Sequence, residues 1–110
     1  MMATIYKVLG QSNPAATTAN TIYTVPAGNS AVISTLNICN LNSGAAAFRI
    51  AIRPAGATLA NIHYVAYDVP IPGNNTISYT VGMSLAATDA VTVYANTALV
   101  SFSVFGTEIY

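Results

Sequence analysis

Apolar residues recur at every second position through most of this chain. Between Ala47 and Arg53, Phe48, Ile50 and Ile52 alternate with Arg49, Ala51 and Arg53, the two-residue period of a strand with one buried face. The pattern repeats as Ile77, Tyr79 and Val81 against Ser78 and Thr80, as Val91, Val93 and Ala95 against Thr92 and Tyr94, and as Val100, Phe102 and Val104 against Ser101 and Ser103. Further strands are expected over Ile5 to Gln11 and Thr21 to Val25. A strand from Ala31 to Asn40 sets Val32, Leu36 and Ile38 on one face, with Ser34 the small exception and Ile33 outward or at a bulge. Asn61 to Asp68 sets Ile62, Tyr64 and Ala66 against His63, Val65 and Tyr67. No stretch carries the period of a long helix.

Turn chemistry separates these runs. Val25-Pro26-Ala27-Gly28 reads as a type I turn with proline second and glycine fourth, making a hairpin or a tight corner. Tyr67-Asp68-Val69-Pro70-Ile71-Pro72-Gly73-Asn74 echoes Tyr23 to Asn29 with one residue inserted before the glycine. Either the two halves are built alike, or the same strand-ending punctuation has been used twice. About eight strands at spacings of roughly 8–12 residues predict an all-β chain, a single antiparallel β-sandwich over residues 1–110. Its corners suit a jelly-roll or an immunoglobulin-like Greek key.

Charge is scarce. Lys7, Arg49 and Arg53 face Asp68, Asp89 and Glu108 for a net charge of zero, and 5% of residues are charged against roughly 25% in ordinary soluble domains. A neutral chain has no electrostatic footprint for nucleic acid or an anionic membrane. Prolines, glycines and asparagines break the uncharged region from Val8 to Phe48 well short of the ~20 apolar residues of a spanning helix. The stretch from Met1 to Lys7 lacks the basic and apolar regions of a signal peptide. A surface so poor in charge suits a protein packed against copies of itself or partners, because charge is the usual guard against association.

Reactive chemistry is thin. His63 is the only histidine and Cys39 the only cysteine, so no internal disulfide forms and no ligand spacing for zinc or calcium is present. His63 and Asp68 are five positions apart, on opposite faces of one regular strand. No glycine-rich phosphate motif occurs, so neither enzyme activity nor a metal or cofactor is expected. Arg49 and Arg53 share one strand face about 13 Å apart. They are the candidate interface residues, either solvated beside Asp68 or Glu108 or anchoring a carboxylate on a neighbouring subunit. Seven tyrosines leave stacking on sugar rings open as a second reading.

The run Ile22 to Gly28, the strand to Cys39-Asn40, the segment Phe48 to Ala57 and the end Phe105-Gly106-Thr107-Glu108-Ile109 resemble small virion proteins of tailed bacteriophages, particularly phages of cyanobacteria. The resemblance spans most of the chain. It implies a β-sandwich virion structural protein without cofactors, located on the particle and often trimeric, contacting itself and partners such as the major capsid protein. It implies a capsid decoration (cement) protein, or alternatively a tail or baseplate accessory or a fibre module that binds host-surface carbohydrate.

Overall fold

Eight strands carry the chain in a computed structural model that describes residues 3–110. They are β1 (Thr4–Ser12), β2 (Asn20–Thr24), β3 (Ser30–Asn40), β4 (Ala46–Arg53), β5 (Tyr64–Ile71), β6 (Thr76–Leu85), β7 (Ala90–Ala95) and β8 (Val100–Ile109). Met1 and Met2, which head the stretch read for a signal peptide, lie outside the described residues. One four-stranded sheet has the order β1-β8-β3-β6 and the other β2-β7-β4-β5, all neighbours antiparallel. Thus β1 pairs with β8, β2 with β7, β3 with β6 and β4 with β5, and successive pairs alternate between the sheets. That winding is the eight-stranded jelly roll, which decides between the two expected sandwich types.

The core fills the space between the inner faces. Phe48 and Ile50 of β4, Val91 and Val93 of β7, Leu36 and Ile38 of β3, and Phe102 and Val104 of β8 are almost wholly buried. Phe102 meets Phe48 edge-on at 6.3 Å between ring centres, and Tyr79 joins them from β6. These residues hold the inward positions expected from their alternation.

The sequence-based assignments fail where an extra residue enters a strand. Ile33 is fully buried and adjoins a bulge, the second of its two expected placements. Between the pairs Ile33–Gly106 and Thr35–Phe105, β3 carries one more residue, Ser34, than β8. This bulge flips the parity, so Ala31 and Ile33 point inward before it and Leu36, Ile38 and Asn40 after it, while Val32 pairs with Thr107 on the outer side.

The segment expected as a strand from Asn61 begins as a 3₁₀ turn, Asn61–His63, closed by the His63 N–H on the Ala60 carbonyl at 3.0 Å. Strand β5 starts at Tyr64 and runs through Pro70 to Ile71, a proline tolerated because β5 is a sheet edge. Two register shifts against β4 turn Tyr64 to the outer face, away from Ala66, with which one regular strand would have grouped it. Strand β8 also runs past Val104, the last alternating position read from the sequence, to Ile109.

The chain leaves an edge of the β2-β7-β4-β5 sheet for the other sheet at Val25-Pro26 after β2 and at Pro72-Gly73 after β5, whereas Val69-Pro70 is still paired with β4. The first turn lies one residue later than expected. The Asn29 N–H bonds the Pro26 carbonyl at 3.1 Å, and Gly28 occupies the third position with φ +82°, the mark of a type II turn.

Candidate functional site

Strand alternation sends Arg49, Ala51 and Arg53 of β4 and Thr92 and Tyr94 of β7 to the outer face of the second sheet. The ladder sets Arg49 opposite Tyr94 and Ala51 opposite Thr92. On the other side of β4, the bulged β5 delivers Tyr64, Tyr67 and Asp68 to the same place. Asp68 takes φ +50°, a left-handed conformation that aspartate tolerates better than most residues. Its carboxylate grips Arg49 through both oxygens, accepting from Nε at 2.6 Å and Nη2 at 3.3 Å. The guanidinium lies between two rings, 4.1 Å from the centre of Tyr67 and 4.2 Å from that of Tyr94, each close enough for a cation–π contact. The Asp68 hydrogen bond raises the Arg49 pKa above its already high value. Tyr64 stands edge-on to Tyr67 at 4.8 Å, and a shallow groove lined by Asn61, Tyr64 and Tyr67 opens beside them.

Arg53 does not join this cluster. Its Nε donates to Thr92 Oγ1 at 3.0 Å, Nη1 to the carbonyls of Gly56 and Ala57, and Nη2 to Thr21 Oγ1 at 3.0 Å. It clips β2, β4, β7 and the 3₁₀ turn Pro54–Gly56 together. Of the two residues singled out in the sequence, Arg49 thus sits in an aromatic platform and Arg53 in a structural clip.

The remaining charges are held internally as well. Glu108 is buried on β8, accepting from the Tyr23 hydroxyl of the opposite sheet at 2.6 Å and pairing with Lys7 at 3.1 Å. The Tyr23 hydrogen bond is the main cause that holds the Glu108 carboxyl below its ordinary range; burial opposes it and Lys7 adds to it. Burial first, then Glu108, pushes the Tyr23 phenol upward. Asp89 accepts the backbone N–H groups of Ala55 and Ala86, each at 2.8 Å. His63 Nδ1 accepts the Ala60 N–H at 3.0 Å. All six charged side chains of the sequence are therefore engaged within the chain.

The outer face of the β1-β8-β3-β6 sheet is different in kind. Tyr6 and Val8 of β1 stand opposite Thr107 and Phe105 of β8, and Val32 of β3 lies beside Thr107. These outward positions form an apolar end, on which Tyr6 is 83% exposed. Further along, Ser103, Asn37 and Ser78 follow one another across the ladder, and Ser78 donates to Asn37 Oδ1 at 2.6 Å. No charged side chain projects from this face among the described residues.

The tyrosine platform was hidden from sequence reasoning because the places of Tyr64 and Tyr67 depend on the irregular register of β5 against β4, and that of Tyr94 on β7 lying beside β4. The signal available was Arg49 at an outward position. Among the described residues no helix is long and apolar enough to cross a membrane.

No protein-family model and no curated protein sequence matches the chain. Among solved structures, the chain superposes on a structure of infectious bursal disease virus, strain Gx, with a TM-score of 0.56 at 11% identity, covering 99% of this chain and 32% of that one. A crystal structure of the T13 particle of the same virus gives 0.57 at 11% identity over 99% and 30%. A pentameric capsid protein from metagenomic phage sequences reaches only 0.37 at 21% identity, over 96% and 59%, too loose a superposition to carry weight. The chain spans about a third of the length of the bursal disease virus chains, and the likeness is one of fold.

Proposed function

We propose that this chain is a virion structural protein, a capsid decoration (cement) protein of a tailed phage that packs on the particle and stabilises it. The observation that carries the reading is the outer face of the β1-β8-β3-β6 sheet, an uncharged surface with an apolar end around Tyr6, Val8 and Phe105 on a jelly-roll sandwich. Such a surface binds by apolar burial and hydrogen bonding, the means by which protein interfaces exclude water at their centre. The shared fold with chains of infectious bursal disease virus, one of them from a viral particle, and the sequence resemblance to small phage virion proteins support the same conclusion. The partners are copies of the chain, assembled as a trimer, and the major capsid protein beneath them.

Immunogold labelling of purified particles tests the assignment. Gold distributed over heads supports decoration. Gold confined to tails moves the chain to the tail-accessory alternative, and particles purified free of the protein overturn a virion role.

A further inference from the structure

The tyrosine platform lies on the other sheet, and its chemistry is of a different kind. Tyr67 is 54% exposed although Arg49 lies against its ring. Arg49 is itself fixed by two hydrogen bonds to Asp68 and by Tyr94 on its far side. Rigid aromatic rings with few polar groups held in place around them are the composition of a small-molecule site. The open groove of Asn61, Tyr64 and Tyr67 offers about 340 Å³ and adds an amide that both donates and accepts.

We propose that Asn61, Tyr64 and Tyr67, backed by the Arg49–Asp68 pair, bind a pyranose ring of a neutral glycan. A tyrosine ring presents an apolar face to the C–H face of a sugar, and its hydroxyl remains a polar handle. The Asn61 amide and the exposed edges of the Arg49 and Asp68 groups read the sugar hydroxyls as paired donors and acceptors. Charge selects the class of glycan. The bidentate pair is neutral as a unit, so it has no net attraction for a sulfate, phosphate or uronate. If the apolar sheet faces the particle, the opposite sheet faces away from it, but the binding step requires only the free chain and stands apart from the virion assignment.

Affinity electrophoresis of the purified chain through native gels containing a galactan, a glucan, a mannan or, as the anionic arm, alginate is the test. At least one neutral polysaccharide should retard the protein. Tyr67→Ala should weaken retardation about tenfold or more, as loss of a central aromatic contact does, and Asn61→Ala should weaken it while leaving the tyrosine pair intact. Tyr67→Phe should retain most of it, and Tyr6→Ala on the far sheet should change nothing. Retardation by alginate alone, by no polysaccharide, or equally for the native chain, Tyr67→Ala and Asn61→Ala overturns the proposal.

Discussion

Asn40 is a buried polar residue with a full set of partners. The two hydrogens of its Nδ2 are shared among the carbonyls of Gly44, Ile71 and Pro72 at 3.0–3.2 Å, and its Oδ1 accepts the Asn42 N–H at 3.0 Å. It latches the β3–β4 loop to the corner after β5. The corner is close-packed, since a Cβ on Gly73 would collide with the Ser43 carbonyl. Asn40→Ala should cost about 1–3 kcal/mol in denaturant melts, because three carbonyls lose a donor. Asn40→Asp should cost more at neutral pH than in acid, since a carboxylate there confronts those carbonyls. Glu108 sets the opposite pH dependence. Its folded pKa lies below its unfolded one, so its stabilisation is present above the unfolded value of roughly 4.3 and is lost as pH falls through the folded value. Thermal melts across the acid range should show this loss, and Tyr23→Phe should shrink it. An unchanged acid limb in Tyr23→Phe would contradict the assigned cause. Glu108 was illegible in the sequence because its alternation places a carboxylate inward, where apolar residues are the rule.

At the scale of elements, period-two alternation located the strands, and the core lies on its inward positions wherever no bulge intervenes, while the outward Thr92 is buried as well, with Arg53 bonded to it. Phe102 is buried and Ser101 beside it points outward. Phe102→Ala should therefore cost ~3–5 kcal/mol, with Ser101→Ala nearly silent; equal small losses would refute the assignment of that face. Parity failed at Ser34 and in β5 because one extra residue reverses every side chain after it, a change that composition does not record. Topology was equally hidden. A proline- and glycine-bearing corner ends a strand without revealing which sheet receives the next one. The sheet edges also differ. β1 carries Lys7 and a bulge, β2 has five residues, and β5 holds Pro70 and the kinked Asp68, all devices that deter strand pairing. β6 is an edge of ten residues without charge or proline, interrupted only where Val81 and Gly82 stand across from Ser34. Self-association through this edge is expected, and Thr80→Lys should reduce it in sedimentation experiments. A monomeric native chain at every concentration up to near-millimolar would contradict it.

The whole molecule has two unlike outer faces, one uncharged and partly apolar, the other built around Arg49, Asp68 and three tyrosines. The scarcity of charge was plain in the sequence, but its internal engagement was not. Lys7 with Glu108, Arg49 with Asp68, Arg53 with carbonyls and hydroxyls, and Asp89 with backbone N–H groups leave little for long-range attraction, which salt screens beyond ~8 Å under physiological conditions. If the uncharged face docks on the particle, attachment rests on apolar burial. Val8→Asp should then abolish docking while Arg53→Ala, on the far sheet, acts mainly through stability.

The direct measurement is to mix the purified chain with particles lacking it and determine occupancy from low to molar salt. Occupancy should hold or rise with salt, because exclusion of ions from apolar surface favours its burial. Release at moderate salt would contradict apolar docking and place the contact on a charged surface instead.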